Sequence, residues 1–158
     1  QKIEEECQAC DANQDYRLRI SLSKSGEIEV ERRVLTPLSP SFCQAKLCLQ
    51  EVNLQQAFIY FKTTHRPHLS LGEQEKIYHN KRGELLETSI GNLVLKMNGK
   101  LYTPSIRLGI LPGIYRQHLL ETGEVEEKVL TLADFAQAEA IYGCNAVRGL
   151  YELSVREN

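Results

Sequence analysis

The chain has 158 residues, 42% hydrophobic and 25% charged, which is the composition of about one globular domain and not of a disordered chain. A net charge of −2 with both signs mixed gives no electrostatic footprint for nucleic acid or for an anionic membrane surface. No apolar run reaches the ~18–20 residues of a membrane-spanning helix.

The opening QKIEEECQAC has no signal-peptide pattern and no initiator Met, so it reads as a processed start or a piece of something longer. Ile3, Cys7 and Cys10 recur at helical spacing, which predicts the end of a helix over residues 1–12. Cys7-x-x-Cys10 is half of a zinc pattern. No second half follows at ligand spacing, so no metal is expected. Five cysteines, an odd number, point to a reducing, cytoplasmic setting. Tyr16, Leu18, Ile20 and Leu22 alternate with Arg17, Arg19, Ser21 and Ser23. Lys24-Ser25-Gly26 turns the chain, and Ile28 and Val30 alternate back as the second strand of a hairpin. TPLSPS, with two prolines, is the best linker signal. The expected division is therefore residues 1–36, a linker over 37–42, and a second domain over 43–158.

After the linker the character is mixed α/β. AKLCLQ and AFIYF read as strands, the second ending on Lys62. ELLETSIGNLVLKMNGKLYTP reads as strands joined at Asn98-Gly99, a pair suited to a type I′ turn. A helix starts near Pro112 and ends near Gly123. TLADFAQAEA is a second helix with Thr131 as N-cap and Asp134 three residues on. IYGCNAV and LYELSV close the chain as strands.

Five pieces then stand in order: KTTHR at 62–66, LLETSIGN at 85–92, LYTP at 101–104, LPGIYR at 111–116 and CNAVRG at 144–149. Together they resemble the class IV aminotransferases, pyridoxal-phosphate enzymes of fold type IV. They are most similar to 4-amino-4-deoxychorismate lyases, including the lyase domain fused to aminodeoxychorismate synthase component I. The resemblance implies an α/β fold like that of D-amino-acid aminotransferase, mainly its C-terminal domain, with residues 1–36 as the tail end of a small N-terminal lobe. That lobe, with an arginine for the cofactor phosphate, would otherwise precede the matched region.

The resemblance also assigns roles. Lys62 would hold the cofactor and act as catalytic base; by residue chemistry alone, a strand-end lysine with its stem packed and its head in water is the commoner case. Glu87 would face the ring nitrogen, and its neighbours Leu85, Leu86 and Ile90 make it less solvated than Glu84. Ile90, Gly91 and Asn92, beside Ser89, would serve the phosphate, as would Gly113 and Ile114 at a helix start. Turn chemistry explains both segments equally well. Asn145 and Ala146 match a further phosphate-side contact, and Arg148 is a candidate for a substrate carboxylate or a surface arginine. Thr63, Thr64 and Arg66 read as support for Lys62, and His65, His68 and His79 as ordinary polar residues.

The implied reaction cleaves 4-amino-4-deoxychorismate to 4-aminobenzoate and pyruvate, in folate synthesis. The implied partners are a small-molecule substrate, a second copy of the chain, and a fused or associated synthase subunit. An amino-acid transaminase of the same fold and a non-catalytic remnant are the other readings. The interval from Lys62 to Glu87 is shorter than the family usually shows. The stretch Pro67-His68-Leu69-Ser70 stands where many members carry a tyrosine.

Overall fold

A computed structural model describes residues 2–69 and 72–155; Ser70 lies outside them. The chain divides into two compact units, Gln1–Leu38 and Ser39–Asn158.

The first unit holds α1 (Lys2–Gln8), β1 (Tyr16–Leu22) and β2 (Ile28–Val34). The strands form the expected antiparallel hairpin, in register from Tyr16↔Val34 to Leu22↔Ile28. Gly26 takes the positive φ of the turn at +87°, a backbone angle that glycine adopts without a Cβ penalty. Arg32 lies over the Tyr16 ring at 5.5 Å, pairs with Glu6 at 3.6 Å and donates to the Glu6 carbonyl.

The second unit is built on one mixed sheet of eight strands: β3 (Gln44–Leu49), β4 (Lys76–His79), β5 (Leu85–Thr88), β6 (Asn92–Met97), β7 (Lys100–Pro104), β8 (Val125–Lys128), β9 (Ala140–Asn145) and β10 (Gly149–Val155). Their order is β5-β4-β3-β10-β9-β6-β7-β8, and β5 also pairs with β6. That last pairing closes six of the strands into a ring, with β7 and β8 as an extension. The closure rests on one register pair, Glu87↔Asn92. A closed sheet leaves no free edge along that seam.

Strand β6 is buried along nearly its whole length because both of its faces are covered. Leu93, Leu95 and Met97 join Ala45, Ile77, Leu85, Leu130 and Leu153 in the main core. Val94, on the opposite face, packs with Leu119 of α2 (Ile114–Glu121) and with Val125. The Asn98-Gly99 turn has positive φ at both residues, +51° and +74°, as a type I′ turn requires. The second predicted helix is α3 (Leu132–Ala136), and its capping box is complete. Asp134 N–H donates to Thr131 Oγ1 at 3.2 Å, and Thr131 N–H donates to Asp134 Oδ2 at 2.8 Å.

One expected strand is absent. AFIYF forms a single 3-10 turn over Ala57–Ile59, and Lys62 follows it in an irregular loop. Continuous apolarity does not separate a buried strand from another buried segment. Here only Ile59 is buried, at 1% exposure, while Phe61 is 64% exposed. Ile59 docks where Gly109, at φ +81°, lacks a Cβ: a Cβ there would lie 3.2 Å from Ile59 Cδ1 and 2.8 Å from Val52 Cγ1. Phe58 stacks on His68, ring centroids 5.4 Å apart, instead of joining a sheet. Strands β4 and β8 had no sequence prediction.

Candidate active site

Three of the predicted segments converge on the seam where the sheet closes. Asn92, at the start of β6, is 3% exposed and donates from Nδ2 to the Leu111 carbonyl at 2.8 Å. Glu87, in β5, accepts from the Leu111 N–H on Oε2 at 3.3 Å. Both polar groups of the Leu111 peptide are thus held from the seam, which fixes the loop leading into α2. Gly113 follows. A Cβ on it would overlap Asn92 Oδ1, so glycine is required for this approach. On the other side, Asn145 Nδ2 donates to the Ile90 carbonyl at 3.3 Å, while its Oδ1 accepts from the N–H groups of Val147 and Arg148, both at 3.0 Å. Ala146, in that turn, is exposed, and Arg148 is half-buried. A Cβ on Gly91 would lie 2.5 Å from the Cys144 carbonyl oxygen, which holds the 88–91 turn against β9.

The candidate phosphate donors differ in what they offer. Ser89 N–H donates to the Lys76 carbonyl, Ile90 N–H to Glu75 Oε1 at 3.1 Å, and Gly91 N–H to Thr88 Oγ1 at 3.0 Å. These three are committed within the chain. The start of α2 differs: Gly113 is its N-cap and no side chain caps the helix. The first N–H groups of a helix point outward and its dipole favours an anion. The Gly113 N–H itself donates to the Leu111 carbonyl at 2.9 Å, so the donors that this segment can offer begin at Ile114, the first residue of α2. Gly113→Ala is expected to weaken binding of pyridoxal phosphate by at least about tenfold, and the overlap with Asn92 costs roughly 1–3 kcal/mol of stability. Equilibrium dialysis with the cofactor and chemical denaturation measure the two effects separately.

Glu87 is 2% exposed. Its Oε1 accepts from Arg66 Nη2 at 3.1 Å, and His68 Nε2 lies 3.9 Å away. Burial raises its pKa from an ordinary 4.5 to about 7, against the pull of Arg66 and the Leu111 N–H. Arg66, read from sequence as support for Lys62, therefore acts on the acid instead. Lys62 itself is exposed and sits on no strand; its expected desolvation at a strand end is not found, because the strand that would shield it does not form.

Two residues escaped the sequence reading. Glu75 is fully buried, and its Oε1 accepts from Ser89 Oγ at 2.7 Å as well as from Ile90 N–H. It pins the turn whose Ile90 carbonyl meets Asn145. Burial raises its pKa, against the donors of the 88–90 turn. The only sequence signal was a glutamate just before a short apolar run. Glu75→Ala is expected to cost about 1–3 kcal/mol by stranding those donors, whereas Glu75→Gln keeps an acceptor and costs less; urea titration distinguishes them. The other residue is Arg116, 2% exposed, which donates to the Pro104 carbonyl at 2.8 Å and pairs with Glu127. It ties LPGIYR to LYTP, so two of the motifs are one structural unit.

Among the described residues no group of His, Cys, Asp and Glu could hold a metal, and no helix is long and apolar enough to cross a membrane.

Residues 8–154 match the family model for class IV amino-transferases. The chain is 27% identical over 124 residues to an assigned aminodeoxychorismate lyase of Schizosaccharomyces pombe, covering 70% of this chain and 53% of that one. It is 24% identical to the aminodeoxychorismate lyase of Saccharomyces cerevisiae, over 90% of this chain and 52% of that one. Among solved structures, an assigned amino-acid aminotransferase from Mesorhizobium loti aligns with a TM-score of 0.77 and 28% identity, over 89% of this chain and 73% of that one. The chain spans about half the length of the curated relatives it matches.

Proposed function

Because the chain belongs to the class IV aminotransferase family, whose members depend on pyridoxal phosphate, we propose that it is a lyase releasing pyruvate and 4-aminobenzoate from 4-amino-4-deoxychorismate. The observation that carries this reading is the seam of the sheet. A buried acid, an uncapped helix start and the Asn145 turn are brought together there by a hydrogen bond accepted by Glu87 and by hydrogen bonds donated by Asn92 and Asn145.

The residues fit the cofactor. Gly113 lets the Asn92 side chain approach the backbone more closely than a Cβ would allow, which sets the helix start suited to a phosphate dianion beside the seam. Glu87 is a buried carboxyl suited to a ring nitrogen that must stay protonated. Lys62 supplies the amine. When bound, pyridoxal phosphate supplies an electron sink, which is the chemistry that side chains lack.

The chain's own residues do the rest. Lys62 Nζ holds the cofactor between turnovers. Once freed, it takes the proton from the substrate carbon that carries the amino group. It then returns a proton to the departing pyruvate fragment as the carbocycle becomes aromatic. Glu87 would keep the ring nitrogen protonated, and the N–H groups at the start of α2, from Ile114 on, would hold the phosphate. Arg148 is assigned to a substrate carboxylate. On this reading residues 1–36 are the tail of an N-terminal lobe. The working enzyme is a cytoplasmic homodimer serving folate synthesis, fused to or associated with an aminodeoxychorismate synthase subunit.

The alternative is transamination by the same Lys62 and Glu87, and the CNAVRG segment favours the lyase. Pyruvate formed from 4-amino-4-deoxychorismate with no keto-acid acceptor present supports the lyase. Turnover that requires an acceptor supports the transaminase.

A further inference from the structure

The loop that carries Lys62 also carries the cation on Glu87. We propose that Arg66 is a positioning residue that keeps Glu87 charged and aimed; this rests on reading Glu87 as the acid that serves the cofactor ring.

Among the described residues three groups face the Glu87 carboxylate: the Arg66 guanidinium at 3.1 Å, the His68 ring at 3.9 Å and the Leu111 N–H at 3.3 Å. Of these three, the first brings charge. The His68 side chain is 7% exposed, neither ring nitrogen has a hydrogen-bond partner among the described residues, and its ring stacks on Phe58. Burial, then the charge of Arg66, lowers the His68 pKa, so the ring is neutral near pH 7. The Arg66 and Glu87 side chains are 17% and 3% exposed, so little solvent screens the pair.

The pair is also held from outside. Leu69 N–H donates to the Arg66 carbonyl at 3.0 Å, closing a turn. Leu69 packs against Tyr78, Leu86 and Ile110. The buried Gln50 amide donates to the His68 carbonyl. A loop with no helix or strand of its own is thereby fastened at 66–69, where it presents the guanidinium to β5. Burial alone drives a carboxyl toward its neutral form. A neutral carboxylic acid has no charge to set beside a ring nitrogen. Arg66 supplies what the fold otherwise removes.

The test is the titration of Glu87 in the protein without cofactor, followed by carboxyl carbon NMR with labelled glutamate. The signal is assigned by its absence in Glu87→Gln. The wild-type midpoint is expected near pH 7. Arg66→Met is expected to raise it by about 1–3 pH units, and Arg66→Lys, which keeps the charge, by less than about 1. If Arg66→Met fails to fold, Arg66→Gln carries the same expectation. A midpoint unmoved in the neutral variant overturns the proposal. In wild type, Arg66→Lys and the neutral Arg66 variant, the visible absorbance of added pyridoxal phosphate is then followed across pH. If the wild type takes up no cofactor while the Glu87 midpoint still shifts, the functional reading fails and the role of Arg66 in charging Glu87 stands. If cofactor binds but its absorbance follows pH identically in the Arg66 neutral variant, the positioning role is overturned.

Discussion

Lys62→Ala is expected to abolish both turnover and the yellow colour of bound cofactor while leaving the fold intact. The two effects separate because of where Lys62 lies. Its side chain is exposed in the loop after the 57–59 turn, and no carboxylate among the described residues pairs with it. Surface substitutions away from buried features usually change stability by under about 0.5 kcal/mol. Turnover should fall by at least about a thousandfold, since covalent holding and proton transfer both need the amine. Other lysines are tied elsewhere: Lys81 to Glu51 at 2.5 Å, Lys100 to Glu126 at 3.1 Å, Lys128 to Asp134 at 3.2 Å. Borohydride reduction of the loaded protein, followed by peptide mapping, should place the label on Lys62. A label on another lysine, or persistent colour in the Ala variant, removes Lys62 from the reaction.

Much of the architecture was legible in the sequence wherever local chemistry and tertiary demand agree. The 16–34 hairpin alternates through β1 and into β2 as far as Val30, Asn98-Gly99 accepts positive φ, and Thr131 caps α3 with Asp134. Each signal is satisfied by residues a few positions apart. The misreading at 57–61 has the opposite origin. Its apolar run gave no period, and Ile59 is seated against Gly109, about fifty residues away, instead of in a sheet. Strand β4, with only four residues, is set by its pairing with β3 and β5, and β8 by its parallel pairing with β7.

The site shows the same divide. That Glu87 is buried was foreseeable from its leucine neighbours. That Arg66, 21 residues earlier, pairs with it was not. Nor could sequence show that Glu75 uses up the Ile90 N–H, leaving the start of α2 as the place with donors to offer. Such assignments depend on which side chain reaches a given backbone group first, and that is fixed only once the sheet has closed.

Glu87→Gln is expected to slow turnover and stabilise the protein above neutral pH, opposite effects from one substitution. The carboxyl ionises near 4.5 when unfolded and at about 7 when folded. Below pH 4.5 both states hold the proton, and burial costs nothing through this group. Between those values the unfolded chain gives up its proton first, so stability falls as pH rises. Above pH 7 the loss is complete, at roughly 3 kcal/mol for a shift of this size. Glutamine stays neutral throughout and should abolish that slope. Thermal melts of the cofactor-free proteins at pH 8 should favour the Gln variant, and the gap should close toward pH 4.5. Turnover should fall about ten- to hundredfold, since a charge-assisted hydrogen bond to the ring nitrogen contributes about 1.5–3 kcal/mol. Activity within about twofold of wild type would take Glu87 out of the reaction. A Gln variant less stable than wild type at pH 8 would show that the Arg66–Glu87 pair outweighs its own desolvation and holds the seam closed.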